Sequence, residues 1–216
     1  MDDRRNPKQV VRQSYDAIAE RHATWAASVR QEERLRFATL LTRAYPAGAS
    51  LLELGCGTAG ATTQLLARHF RVTGIDISPR SIAIARLAVP NATFVAADMT
   101  RVGFAAQSFD CVAAFYSIIH VPREELLALF KNVADWLRPG GHFVATMNGS
   151  DTPGDYEENW LGAPMFWSGY DPETTRRLVA STGLTVEALT LETADEDGEP
   201  MSFWWLVARK PVAQTG

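Results

Sequence analysis

Apolar residues at Val11, Tyr15, Ile18, Ala19, Trp25 and Val29 recur at helical spacing and predict one amphipathic helix near the N-terminus. A second helix is expected from about Glu32 to Ala44 and stops at Tyr45-Pro46, because a proline pushes the residue before it out of helical geometry. Beyond residue 49 the period changes. Short apolar runs at 50–54, 71–76, 93–98, 109–116 and 142–147 read as strands, and helical patterns at 60–69, 78–88 and 123–137 fall between them. Ser78-Pro79 opens one of these helices with a capping hydroxyl and a proline at the first helical position. In another, Leu126, Phe130, Val133 and Leu137 share a face, and the pattern stops at Pro139-Gly140-Gly141. Such alternation predicts an α/β fold with a doubly wound, largely parallel sheet covered by helices on both faces. The end of the chain breaks the rhythm. After a helix at 172–181, two strands at 184–193 and 201–209 are joined by an acidic turn, so the sheet should close with an antiparallel hairpin.

Composition narrows the class without naming a function. The 216 residues suit a single domain, with 1–45 as a helical N-terminal cap; 46% are hydrophobic and 21% charged, ordinary for a globular protein. A net charge of −4 is not the basic footprint of a nucleic-acid binder. Cys56 and Cys111 make no disulfide framework, which points to a reducing compartment. The charged N-terminus, Met1 to Pro7, leads into no apolar segment, so it does not read as a signal peptide. No apolar window is long enough to span a bilayer. The expectation is a cytoplasmic protein with no membrane or nucleic-acid partner.

The richest local signal is the run Leu51-Leu52-Glu53-Leu54-Gly55-Cys56-Gly57-Thr58-Ala59-Gly60, a strand that enters a glycine turn before a helix. The pattern G-x-G-x-x-G also describes dinucleotide sites and by itself decides little. Twenty-one positions after Gly55, Asp76 ends the second strand where it could accept hydrogen bonds from both hydroxyls of a ribose. The plainer role for Asp76 is to cap the next helix, although Ser78 is better placed for that. Asp98 ends the third strand and could take an adenine amino group while Met99 packs on the ring; alone it would read as a solvated turn residue. Glu53 stands two positions before the first glycine, where dinucleotide folds carry a small or apolar residue, and no second catalytic domain follows.

Together, Glu53-Leu54-Gly55-Cys56-Gly57-Thr58, Gly74-Ile75-Asp76-Ile77-Ser78, Ala97-Asp98-Met99 and Leu137-Arg138-Pro139-Gly140-Gly141 resemble the class I S-adenosylmethionine-dependent methyltransferases. The likeness covers residues 50–147 and is closest to the small-molecule branch that includes the ubiquinone/menaquinone-type enzymes. It implies a seven-stranded, Rossmann-like sheet, S-adenosyl-L-methionine as methyl donor and S-adenosyl-L-homocysteine as product. Glu53, Gly55, Cys56, Gly57 and Thr58 would hold the methionine portion, Asp76 the ribose, and Ile77, Asp98 and Met99 the adenine. Tyr116 would neighbour the cofactor, and Tyr15 on the first helix would close over its methionine end.

Methyl transfer from a sulfonium asks the protein mainly to aim the acceptor, and positioning can supply roughly 7–11 kcal/mol of the barrier. A base is needed only where the acceptor loses a proton. His120, in the wall after the fourth strand, is the candidate, against a supporting structural role. The aromatic-rich insertion at 149–170 reads as a long loop and a substrate lid. Asn148, Trp160, Phe166 and Trp167, with His120, are expected to face a small, aromatic or cationic acceptor, with Asp155, Glu157 or Glu158 adding charge. Asn148 and Asp151 resemble part of the metal site of catechol methyltransferases, but the matching acid after the fourth strand is missing, so no metal is expected. No Asn/Asp-Pro-Pro-Tyr or Pro-Cys motif of base-modifying enzymes is present. The expected reaction is transfer to oxygen or nitrogen of a small molecule; the alternatives are a protein or RNA methyltransferase and a non-catalytic S-adenosylmethionine-binding protein.

Overall fold

A computed structural model describes residues 5–196 and 198–212; most of the charged N-terminal run read above, Met1 to Arg4, lies outside them. Helix α1 (Pro7–Ala26) begins four residues earlier than its apolar stripe suggests. Asn6 explains the difference: its side chain accepts from the N–H groups of Lys8 and Gln9, with Pro7 at the first helical position. Helix α2 (Gln31–Ala44) ends at Tyr45, which is extended before its proline. The alternating part then runs β1 (Ser50–Leu54), α3 (Ala61–Ala67), β2 (Arg71–Asp76), α4 (Pro79–Ala88), β3 (Thr93–Ala96) and β4 (Phe109–Ala114). A 3-10 turn (Ile118–His120) leads to α5 (Arg123–Trp136) and β5 (Leu137–Asn148). The chain continues with β6 (Thr152–Trp160), β7 (Ala163–Gly169), α6 (Pro172–Ser181), β8 (Thr185–Glu196) and β9 (Glu199–Arg209).

Seven strands form one sheet in the order β3-β2-β1-β4-β5-β9-β8. The first five are parallel, and β9 runs antiparallel between β5 and β8, with Met147 opposite Trp204. The expected fold, including the closing hairpin, is therefore present. Strand alternation sorts the core into two layers. Leu51, Val72, Cys111, Val144 and Trp205 face α2, α3 and α4, whereas Leu52, Leu54, Val112, Phe143 and Leu206 lie with Phe130 and Val179 of α5 and α6. Trp205 is fully buried and stacks on Phe37 of α2 with ring centroids 4.1 Å apart, while Trp204 on the opposite face is only partly buried. Chain order reverses between β1 and β4, which opens a crevice at the carboxyl ends of those strands.

The insertion at 149–170 is not a loop. It is a separate two-stranded hairpin, β6 with β7, whose inner residues Met165 and Phe166 pack on Val11 of α1. Its turn places Leu161 (φ 50°) and Gly162 (φ 89°) both in the left-handed region, as a two-residue turn between paired Trp160 and Ala163 demands. Leucine is rare at such a position, and β6 carries Pro153, Gly154 and an almost wholly exposed polar face, so neither the turn nor the alternation announces itself. Elsewhere the differences are at ends: β3 stops at Ala96, and β5 extends back to Leu137 through an irregularity between Phe109 and Cys111.

Candidate functional site

A cavity of about 220 Å³ opens at the crevice, roofed by α1 and α2. Its wall contains Tyr15, Glu53, Gly55, Cys56, Gly57, Thr58, Asp76, Ile77, Asp98, Met99, Tyr116 and His120, so all the residues expected to touch the cofactor converge on one space. Gly55 shows why the turn needs its composition. At φ 71° a side chain would be strained, and a Cβ there would meet Ser117 Cβ at 2.2 Å.

Glu53 is buried at the carboxyl end of β1. Its Oε1 accepts from Thr63 Oγ1 at 3.0 Å, and its Oε2 is buried without a partner. Burial pushes this carboxyl up to about 7; the Thr63 bond opposes the shift and the nearby Asp76 charge adds to it. A buried carboxylate oxygen left open on a cavity fits an ammonium or other donor supplied by a ligand. Asp76 Oδ2 accepts from Gly57 N at 2.9 Å and Oδ1 from Ser78 N at 2.9 Å. Burial raises it to about 6 despite those two bonds, with Asp16 adding to the shift. The capping of α4 falls to Ser78, whose Oγ accepts from Ser81 N at 3.0 Å. The Asp76 carboxylate therefore braces the glycine turn while still lining the cavity.

Asp98 is not a solvated turn residue. Its Oδ1 accepts from Thr100, and its Oδ2 takes Lys8 Nζ at 2.9 Å; the same ammonium also reaches Thr100 Oγ1 and Glu125. Partial burial works against the charged form, but the bonds from Thr100 and Lys8 outweigh it and hold the carboxyl below its ordinary range. One cation thus ties α1 to the loop after β3 and to α5.

His120 is buried in the 3-10 turn after β4. Its Nδ1 lies 2.9 Å from the carbonyl of Phe166, so that nitrogen carries the proton, and Nε2 accepts from Tyr15 OH at 2.9 Å. Burial lowers its pKa to about 4, against the Phe166 bond. His22, one turn beyond Ile18 on α1, lines the same cavity and is also lowered to about 4, first by burial and then by Arg34 and His120. Its ring packs edge-on against Tyr15 with centroids 5.0 Å apart. Cys56 is a cavity residue without a nucleophile's electrostatics: burial, then Asp76 and Glu53, push its thiol well up.

The expected acceptor residues divide differently. Trp160 and Trp167 stand behind the wall, with centroids 5.8 Å from Tyr15 and 4.6 Å from His120. Phe166 is buried under α1, and Asn148 lines a separate crevice of about 10 Å³ beside Gly169 and Tyr170. The insertion acids point away from the cavity: Glu158 pairs with Arg5, Glu157 accepts from Trp167 Nε1, and Asp155 is exposed. Among the described residues no group of three His, Cys, Asp or Glu could hold a metal. Lys8, His22, Gln31 and Arg34 line the cavity without having been foreseen. Arg34 had a readable signal. It lies three, four and seven positions before Phe37, Ala38 and Leu41, on the apolar stripe of its helix.

A family model described as a methyltransferase domain matches residues 51–141. An uncharacterized methyltransferase of Synechocystis is 30% identical over 166 residues, covering 76% of this chain and 74% of that one. A ubiquinone biosynthesis O-methyltransferase of Methylobacterium is 30% identical over 181 residues, covering 76% and 69%. Among solved structures, magnesium protoporphyrin IX methyltransferase of Synechocystis with bound S-adenosylhomocysteine has a TM-score of 0.73 at 14% identity, covering 95% of this chain and 100% of that one.

Proposed function

The chain belongs to the class I S-adenosylmethionine-dependent methyltransferases of the small-molecule branch, and from that premise we propose that it methylates an oxygen or nitrogen of a small acceptor held beneath α1. The observation that carries this reading is the convergence of Glu53, Asp76, Asp98 and His120 on one roofed cavity. Bound S-adenosylmethionine supplies an electrophilic methyl group on a sulfonium, for in-line displacement by the acceptor.

The residues suit that group. Glu53 Oε2 is an open acceptor for the amino end, and the partly buried Asp76 carboxylate offers lone pairs for ribose hydroxyls. Gly55, Cys56, Gly57 and Thr58 present backbone close to the methionine portion, while Ile77, Asp98 and Met99 bound the adenine. Tyr15, His22, His120 and Tyr116 form the wall on the acceptor side. There the neutral His120 acts through Tyr15 as a positioning residue: its Nε2 takes the phenol proton in a hydrogen bond and so turns the lone pairs of the phenol oxygen toward the acceptor's hydroxyl or amine. The β6–β7 hairpin is a lid by virtue of backing this wall with Trp160 and Trp167 rather than lining it.

The relatives support a small acceptor by their names, one of them acting in ubiquinone biosynthesis. Two free buried cysteines and the lack, among the described residues, of a helix long and apolar enough to cross a membrane support a cytoplasmic setting. Incubation with S-adenosylmethionine and a panel of small hydroxyl and amine metabolites, read as S-adenosylhomocysteine release, tests the proposal. Turnover confined to proteins or RNA would overturn the small-molecule assignment, and cofactor binding with no turnover on either class would overturn the enzymatic one.

A further inference from the structure

The cavity wall carries several groups able to accept a proton, and all but one are committed elsewhere. Asp98 is held by Thr100 and Lys8, and Asp76 by the N–H groups of Gly57 and Ser78. Glu53 stands at the end of β1, on the side assigned above to the cofactor's amino group. His120 gives Nδ1 to the Phe166 carbonyl and Nε2 to the Tyr15 hydroxyl, so neither nitrogen is left for an acceptor. The Tyr15 oxygen keeps its lone pairs, but a neutral phenol accepts a hydrogen bond without being able to keep the proton. Burial holds the Cys56 thiol protonated. His22 differs from all of these. It lines the cavity, and among the described residues nothing hydrogen-bonds to either of its nitrogens. Neither nitrogen is sealed inside the protein, so both remain accessible.

Packing fixes the His22 ring without using its nitrogens. The ring meets Tyr15 edge-on at 5.0 Å between centroids, Trp25 of the same helix at 5.8 Å and Trp160 of β6 at 5.6 Å. Along the same stretch of α1 the cavity is lined by Ala23 and Ala26, whose small side chains leave room beside the imidazole for a planar body. Burial, then Arg34 on α2 and His120 on the 3-10 turn, lowers the group to about 4. At physiological pH the imidazole is therefore neutral, with one nitrogen bare to accept and the other carrying a proton.

We propose that His22 is the catalytic base of the transfer and that the acceptor it serves is a hydroxyl on a planar body. The inference rests on the cofactor reading above and adds the group that receives the proton. As the acceptor oxygen attacks the methyl carbon, an O–C bond forms and the C–S bond breaks, its electron pair returning to sulfur as the thioether. The oxygen becomes strongly acidic as it gains a third bond, so even a weak base takes its proton, and the O–H electron pair stays on the oxygen of the methyl ether. The positive charge thus passes from the sulfonium to the imidazolium. Arg34 disfavours that charge, and the proton goes on to water as the product leaves. An amine attacks through a free lone pair and needs no base in that step, so a bare imidazole beside the Tyr15 oxygen fits oxygen rather than nitrogen.

The probes 4-methylphenol, 4-nitrophenol and 4-methylaniline share one ring and differ in their need for a base. At saturating S-adenosylmethionine the wild type should methylate 4-methylphenol, and His22→Gln should lose about 100-fold or more in kcat on it, as for a removed general base. On 4-nitrophenol, already largely ionised at about pH 8, the loss should stay below about fivefold. S-adenosylhomocysteine affinity within about twofold of wild type shows that the variant is folded. The wild-type rate on 4-methylphenol should be level from about pH 6 to 8, because His22 and the facing His120 are neutral and Tyr15 and Arg34 keep their protons across that range. This profile decides alone if His22→Gln does not fold. Equal losses on the two phenols, or a wild-type rate that climbs about tenfold per pH unit as free phenolate forms, overturns His22 as the base. Methylation of 4-methylaniline alone, or of none of the three by protein that binds S-adenosylhomocysteine, overturns the hydroxyl acceptor. Wild-type protein that does not bind S-adenosylhomocysteine overturns the cofactor reading beneath it.

Discussion

The hydroxyl of Tyr15 on α1 donates to Nε2 of His120 at 2.9 Å, across 105 positions of sequence. That single bond joins the helical cap to the wall after β4 and fixes the tautomer of a buried imidazole whose other nitrogen donates to Phe166.

Tyr15→Phe keeps the ring and removes the bond, which leaves a buried acceptor unsatisfied. Urea unfolding should show a loss of about 1–3 kcal/mol. S-adenosylhomocysteine affinity should change little. With an identified acceptor, kcat should fall in both Tyr15→Phe and His120→Ala, and the double variant should fall no further than the worse single one. Additive losses would separate the two residues.

The Lys8 ammonium holds Asp98 and Glu125 together, with their side chains 15%, 20% and 39% exposed. Lys8→Met should therefore cost between the roughly 1 kcal/mol of an exposed pair and the roughly 3 kcal/mol of a buried one. Amide exchange should quicken over the first turns of α1 and not in β4. A variant with wild-type exchange there would remove the ammonium from the closure of the cap.

Cofactor binding should be coupled to protons. Glu53, raised from 4.5 to about 7, and Asp76, raised from 3.8 to about 6, hold protons more tightly folded than unfolded. Their contribution to the stability of the free protein therefore falls as pH rises from about 4 to 7. His22 and His120, lowered from 6.5 to about 4, act oppositely and add stability as pH rises through the same window. A ligand ammonium favours the carboxylate of Glu53, so binding near pH 6.5 should release protons and tighten as pH rises toward 7.5. Calorimetry in buffers of different ionisation enthalpy counts them, and Glu53→Gln should reduce the count.

Gly55→Ala sets the backbone limit of the site. The added Cβ would lie 2.2 Å from Ser117 Cβ at a left-handed φ, so the turn must move. We expect a melting loss larger than the roughly 1 kcal/mol of an ordinary helical Gly/Ala exchange and no measurable S-adenosylhomocysteine binding. Retained binding would show that the turn is not closely packed.

How much of this was legible in the chain follows from the kind of signal involved. Period and turn chemistry revealed the sheet, its closing hairpin and the cap at Ser78, because each is a local preference. The residues of the glycine turn, Asp76 and Asp98 were readable because the fold places strand ends at a fixed spacing. The β6–β7 hairpin was not, since Leu161 stands where Asn or Gly would have signalled its turn. Nor was the place of the insertion's aromatic residues. Trp160 and Trp167 carry aromatic character that suggests a lining, yet which side of a two-stranded ribbon meets α1 depends on packing of Val11, Met165 and Phe166. Lys8 was missed because a charged residue on a helix reads as solvated until the helix is docked over a cavity, whereas Arg34 was overlooked although it sits on the apolar stripe of α2.

The central claim, that this cavity holds S-adenosylmethionine with Asp76 on the ribose, is tested most directly by titrating wild-type protein and Asp76→Ala with S-adenosylhomocysteine. We expect one equivalent bound by the wild type and at least about a tenfold loss in the variant, with circular dichroism unchanged. Equal affinity in the two proteins would contradict it.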